Sequence, residues 1–278
     1  MKKLIYYTLA SVASMCISAC SDEENDEDLN SRENYVGKVL VDQTLPTTNL
    51  KGDDGVYNIY LPADYETSGK KYPVLYLLHG MWSNNREWVS NGSADFSTSQ
   101  AIRSGALNEM IIVMPYAYDS FYVDHYTHDY ESFFMKDLMP YIEANYPVKT
   151  GRENTAICGL SMGGFGASYY AFTYPEKFCF CYEMSGAVEG MGTELIPSVK
   201  MMFEKYGYNE SNYNTLPTYF MDCGTEDAMV YTANVNTRNF LESVNFPFTY
   251  RESTGVHDWV FWKSAYQRML GDLKEFFK

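Results

Sequence analysis

Gly159-Leu160-Ser161-Met162-Gly163 decides how the rest of this chain is read. The pattern G-x-S-x-G marks a sharp turn from strand to helix that holds a serine hydroxyl exposed at its apex. Its two glycines are a steric demand. The serine backbone is strained, and a Cβ on either side would collide with the adjoining strand or helix. The flanks agree with that reading. Residues 153–158 predict a short strand that grows apolar toward its end. Residues 164–172 predict a helix whose first turn is small enough to press against a sheet, and Tyr174-Pro175 stops it.

Outward from this turn, strands alternate with helices. Residues 36–41 and 56–61 flank the turn-rich Lys51-Gly52-Asp53-Asp54-Gly55 and predict a hairpin. Residues 73–78 and 110–114 are unbroken apolar runs, as befits strands buried on both faces. Further strands are expected at 178–184, 218–223 and 248–252. Helices are expected over 130–146 with a kink at Pro140, over 195–206 and 230–244, and from about 264 onward. Such alternation predicts an α/β fold, a mostly parallel central sheet with helices on both faces. Active sites in such sheets lie at the carboxyl ends of the strands.

The amino terminus has a different character. Lys2 and Lys3 precede an apolar stretch too short to span a bilayer, and the stretch ends Ile17-Ser18-Ala19-Cys20. This ending resembles a bacterial lipoprotein cleavage box. Residues 1–19 are therefore expected to be a signal peptide, with Cys20 taking lipid. An ordinary secretory signal cut near Ala19 is the alternative. Residues 20–34 carry the acidic run Asp22-Glu23-Glu24-Asn25-Asp26-Glu27-Asp28, which cannot bury surface and predicts a disordered tether. The run also resembles the acidic tag that directs some Gram-negative lipoproteins to the outer face of the cell. The expected location is thus the outer membrane, facing the exterior, with membrane lipid as partner through Cys20. Residues 35–278 have the length of one large α/β domain, without internal repeats or a second linker.

Charge and cysteines narrow the class. The net charge is −15, and cleavage after residue 19 removes two lysines to leave −17. A chain so negative is not drawn to nucleic acid or to anionic lipid. Cys158, Cys179, Cys181 and Cys223 fall in apolar runs and are expected as free thiols, since side-by-side strand positions rarely meet disulfide geometry.

A serine hydroxyl is a poor nucleophile until a base takes its proton, and that base must be oriented by a third group. Of the four histidines, His257 lies between the last strand and the last helix, where a hydrolase of this topology carries its base. The acid is expected after the preceding strand, in Asp222-Cys223-Gly224-Thr225-Glu226-Asp227. Asp227, beyond the Gly224 turn, is favoured over Glu226 and Asp222. The oxyanion needs two N–H donors. One is expected from Met162, and the other from Met81 in His79-Gly80-Met81-Trp82, with Gly80 and Trp82 as alternatives. His79 then serves as scaffold, bonded to loop backbone. His125-x-x-His128-Asp129 lacks third and fourth ligands, so no metal and no cofactor are expected. Tyr116, Tyr118, Phe121, Tyr122, Tyr126 and Tyr130 either line the substrate cleft or pack beneath a long loop. Trp82, Trp88, Tyr118, Tyr122 and Trp259 are the candidate substrate contacts.

Taken together, these residues resemble a known family. Tyr76-Leu77-Leu78-His79-Gly80, Trp88, Tyr130-Glu131, Asp137-Leu138, Pro140-Tyr141-Ile142, the extended elbow to Gly164, Cys223-Gly224-Thr225-Glu226-Asp227, His257-Asp258-Trp259 and Trp262 follow in order. The chain is similar to the putative-esterase branch of the α/β-hydrolase superfamily. That branch includes feruloyl and acetyl-xylan esterases of carbohydrate esterase family 1, esterase D, siderophore esterases and mycolyltransferases. The resemblance runs from about Lys71 to Phe277 and implies Ser161 as nucleophile, Asp227 as acid and His257 as base. It implies a serine esterase that removes feruloyl or acetyl groups from an acylated polysaccharide such as xylan. Acyl transfer to a sugar or lipid hydroxyl, or cleavage of a siderophore or small ester, is the alternative within the same chemistry. A binding lipoprotein on an inactive scaffold would require the loss of a triad member, and all three are present. Residues 190–216 carry no motif.

Overall fold

The computed structural model describes residues 34–277. The expected signal peptide, Cys20 and most of the acidic tether lie outside the described residues. Eight strands form one sheet: β1 (Lys38–Leu45), β2 (Gly55–Leu61), β3 (Val74–Leu78), β4 (Ile111–Pro115), β5 (Thr155–Leu160), β6 (Phe180–Met184), β7 (Thr218–Gly224) and β8 (Phe248–Ser253). Their spatial order is β1-β2-β4-β3-β5-β6-β7-β8. β1 pairs with β2, and β2 with β4, antiparallel. All other neighbours run parallel.

The helices that cover the sheet are α1 (Ala94–Arg103), α2 (Met139–Asn145), α3 (Met162–Thr173), α4 (Val199–Tyr206), α5 (Tyr231–Ser243) and α6 (Trp259–Leu273). Strand periodicity sorts the core into two layers. From β3, Val74, Tyr76 and Leu78 point into the layer shared with Phe165, Phe172 and Phe203 of α3 and α4. Leu75 and Leu77 point into the layer shared with Ile102 of α1 and with Phe261, Met269 and Leu273 of α6. Such two-sided burial is why β3 and β4 read as unbroken apolar runs. β8 is different: it lies at the sheet edge, paired only with β7, and no residue in it is fully buried.

Three local readings change. The break expected at Pro140 is a π-helical stretch, Phe133–Leu138, between the single turn Tyr130–Ser132 and α2. Pro140 has no N–H to return to a carbonyl one turn back, so the hydrogen-bond ladder changes register just before it. α4 begins at Val199 rather than near 195, because the Ser198 hydroxyl accepts from the Met201 amide and caps it there. The last helix begins at Trp259 rather than near 264. Asp258 caps it, its carboxylate accepting from the amides of Val260 and Phe261.

Cys158, Cys181 and Cys223 are buried free thiols, and Cys179 is a half-buried one. Among the described residues no helix is long and apolar enough to cross a membrane.

Candidate active site

The nucleophile turn is built by close contact between backbones. Ser161 directly follows β5 with φ 53° and ψ −119° and serves as N-cap of α3. A Cβ at Gly159 would lie 2.2 Å from the Gly163 carbonyl oxygen. One at Gly163 would lie 2.4 Å from the Leu78 oxygen and 2.6 Å from the His79 oxygen. Only glycine fits at either place. The strained serine is held from several directions. Its amide donates to the Met184 carbonyl at 3.0 Å, and its own carbonyl accepts from the amides of Phe165 and Ala187, each at 3.0 Å.

His257 and Asp227 arrive from the loops after β8 and β7. His257 Nε2 lies 2.9 Å from Ser161 Oγ, and its Nδ1 lies 2.6 Å from Asp227 Oδ2. The carboxylate can only accept, so Nδ1 carries the proton and Nε2 is left to accept the serine O–H. Asp227 is 1 % exposed. Its other oxygen accepts from the amides of Met229 and Val230 at 3.1 and 3.2 Å. Burial alone would push its pKa up. The hydrogen bond and charge of His257, with the two amides, outweigh that and hold the carboxyl below the usual range. The ring of Trp262 meets the His257 ring edge-on at 4.9 Å.

The two other acids considered from the sequence are occupied differently. Glu226 is exposed. Asp222 is fully buried, held by Arg268 through two bonds of 2.7 and 3.0 Å and by the Tyr182 hydroxyl at 2.7 Å.

His79 is buried and touches no member of this relay. Its Nε2 accepts from the Ala117 amide at 2.8 Å, which puts the proton on Nδ1, facing the Gly80 carbonyl at 2.7 Å. Burial lowers its pKa to about 4, so the ring is neutral at pH 7. Met162 opens α3, and its amide has no carbonyl one turn back to bond. Met81 is half-buried in the turn after β3. The neighbouring Trp82 amide is committed to Asp119 Oδ1 at 2.7 Å. That bond removes Trp82 from the alternatives for the second donor.

The aromatic candidates divide. Trp82 stands 81 % exposed beside Met81. Trp88 and Tyr122, expected at the substrate, are instead buried to within 1 %. Their polar ends explain why. Trp88 Nε1 donates to the Leu78 carbonyl at 3.0 Å, and the Tyr122 hydroxyl donates to the His79 carbonyl at 2.8 Å. Both side chains satisfy backbone carbonyls at the end of β3 and just after it, and have no face left for a ligand. Tyr118 is half-buried and stacks on His128 at 4.1 Å, while His128 pairs with Asp53 at 3.1 Å. Trp259 is half-buried, edge-on to Trp88 and Trp262. Among the described residues no group of three or more His, Cys, Asp or Glu is placed to hold a metal ion.

Two supporting residues escaped the sequence reading. Asp119 anchors the Trp82 amide and left no local signal. Asp258, a capping residue directly before an apolar run, carried the usual signature of a helix start.

Comparison with known proteins gives consistent results. The model of a family described as "Putative esterase" matches residues 48–273. An esterase of Mycobacterium tuberculosis is 36 % identical over 151 residues, covering 50 % of this chain and 30 % of that protein. An endo-1,4-beta-xylanase/feruloyl esterase of Xylanibacter ruminicola is 29 % identical over 170 residues, covering 58 % of this chain and 23 % of that protein. The chain thus spans less than a third of the length of these two relatives. A solved structure of a ferulic acid esterase superposes with a TM-score of 0.78 at 32 % identity, covering 88 % of this chain and 99 % of that one.

Proposed function

The chain belongs to the putative esterase family, and on that premise we propose that it removes feruloyl or acetyl groups from plant polysaccharide such as xylan. It is a serine esterase, and the observation that carries the mechanism is the continuous relay Asp227–His257–Ser161.

In this reading Ser161 Oγ attacks the ester carbonyl while His257 Nε2 takes its proton. The amides of Met81 and Met162 receive the negative charge that develops on the carbonyl oxygen. His257 then gives the proton to the departing sugar oxygen, which leaves the acyl group on Ser161. Water, deprotonated by His257, attacks the acyl-enzyme and releases the acid. Asp227 keeps the imidazole in the required tautomer and stabilises the imidazolium that forms twice per cycle.

Two observations support an aryl or acetyl ester of a sugar. The likeness to the ferulic acid esterase extends over almost the whole of that chain. Exposed apolar side chains also stand within three residues of the site members: Trp82 beside Met81, Met229 after Asp227, and Val256 and Val260 around His257. An aromatic acid would find apolar surface there. Anchoring of Cys20 in the outer membrane, facing outward, belongs to the same proposal. A tethered enzyme outside the cell can act on polymers too large to import.

The test is acid release from feruloylated, acetylated xylan by the purified protein beside its Ser161→Ala variant. Ferulate that depends on Ser161 supports the feruloyl reading. Acetate alone keeps the mechanism with a smaller acyl group. Release of neither, with a small activated ester still cleaved, overturns the xylan assignment in favour of transfer or another ester.

A further inference from the structure

Glu183 is a carboxylic acid that the mechanism above does not use. It lies on β6 with 0 % exposure, directly opposite Gly159 of the strand that delivers the nucleophile. Its Oε2 accepts the Gly186 amide at 2.6 Å, while its Oε1 has no partner.

The turn that Glu183 closes is the one that grips Ser161. The Met184 carbonyl accepts the serine amide on one side of the turn, and the Ala187 amide donates to the serine carbonyl on the other. Between them, Ser185 is held at φ 45°, and the Gly186 Cα presses against α3, 2.7 Å from where a Cβ at Gly164 would be. Asn234 of α5 completes the clamp by donating to the Gly186 carbonyl at 2.9 Å. We propose that Glu183 is a positioning residue for Ser161, fixing the 184–187 turn that holds the nucleophile in its strained conformation. The inference rests on the esterase reading and deepens it.

Its charge state follows from its surroundings. The titratable groups close enough to act on the charge of Glu183 are Cys181 on its own strand, Tyr219 and Cys223 on β7, Cys158 on β5 and Asp222 on β7 from the other face of the sheet, and Asp227 beyond β7. None supplies a positive charge, and two are carboxylates. Burial, first, and these neighbours push the Glu183 carboxyl up, so it holds its proton where an exposed glutamate would not. In the unfolded chain the group ionises at about pH 4.3. The folded protein therefore binds one proton more, and stability falls as the pH rises above that value.

The experiment compares wild type, Glu183→Gln, Glu183→Ala and Asn234→Ala in three measurements. These are hydrolysis of a small activated ester, labelling by a fluorophosphonate that reacts with an activated serine, and thermal midpoints from pH 5 to 9. Glu183→Ala is expected to lose about 100-fold in kcat with KM little changed, and to label correspondingly slowly, since misplacement of a reacting atom acts on the chemical step. Glu183→Gln, neutral and of the same shape, should recover to within about fivefold of wild type. Its midpoint should gain on wild type as the pH rises. Asn234→Ala releases the other side of Gly186 and should lose about tenfold in kcat, which keeps the inference testable if Glu183→Ala does not fold. Retention of kcat within about twofold by Glu183→Ala, or by Asn234→Ala if the former is unfolded, overturns the positioning role. Parallel midpoint curves for wild type and Glu183→Gln overturn the neutral acid. A wild type that neither cleaves the ester nor takes the label overturns the esterase reading itself, a separate result.

Discussion

Arg268 and Asp222 form a fork-to-fork pair: two guanidinium nitrogens of the α6 arginine close on both oxygens of a carboxylate buried in β7. The Tyr182 hydroxyl donates to the same carboxylate. Arg268 therefore fastens to the sheet the helix whose N-terminus lies two residues from His257. Bidentate geometry makes the pair specific, and burial makes its loss severe.

Arg268→Met is expected to destabilise the protein by about 3–5 kcal/mol, because it leaves Asp222 buried without its counter-charge. Denaturant midpoints would show the loss. Turnover per folded molecule should stay near that of wild type, since Arg268 is not part of the relay.

Asp227→Asn should behave in the opposite way. The amide can no longer hold Nδ1–H on the correct side of the ring, and kcat is expected to fall about 10,000-fold. Glu226→Gln, one residue away but exposed, should stay within about twofold in kcat for the same ester. A large loss from Glu226→Gln would overturn the choice of acid.

Gly163→Ala places a methyl group against two backbone oxygens that cannot rotate aside. About 3 kcal/mol of stability should go, with most of the activity, as the turn after β3 is forced away from α3. Gly192→Ala is the contrast. That glycine has φ 64° and open space around its Cβ, so only the backbone penalty of about 1 kcal/mol applies. Urea unfolding of the two variants checks the order.

His79 predicts a pH dependence of known sign. Folded, it stays neutral down to about pH 4. Unfolded, it takes a proton below about pH 6.5. Between those values the unfolded chain binds more protons, so stability is lost as the pH falls, by about 3 kcal/mol in all. His79→Gln should remove that part of the acid slope, read as the difference between the two unfolding curves from pH 7 to 4.

Much of this site could be read in the chain because its requirements are local. The elbow needs glycine at 159 and 163 for steric reasons that hold wherever such a turn forms, and the structure shows both collisions. Strands β3 and β4 could be read because burial on two faces leaves no room for polar residues. Where a choice depended on tertiary contact, sequence left it open. Asp222 and Asp227 are both nearly inaccessible to solvent, and only the position of Arg268, 46 residues further on, shows which carboxylate is occupied elsewhere. Trp88 and Tyr122 were misread for a related reason. An aromatic residue near a site in sequence carries no mark of which way it faces, and here both turn inward to satisfy the carbonyls of Leu78 and His79. Glu183 shows the limit from the other side, since nothing in Phe180-Cys181-Tyr182-Glu183-Met184 sets its carboxyl apart from one that faces solvent.

The place of β8 has a consequence for how the molecule would fail. The proposed nucleophile and base are carried on supports of unequal strength. Ser161 rises from the middle of the sheet, whereas His257 follows the outermost strand, which has a neighbour on one side only. Opening of that margin takes far less free energy than unravelling β3, β4 and β5. The relay would then come apart while the bulk of the sheet, and most of the signal in any spectroscopic melt, was still intact. Turnover by the proposed relay is thus a gauge of the molecule's weakest margin, and heat would silence that chemistry some degrees before it unmade the fold.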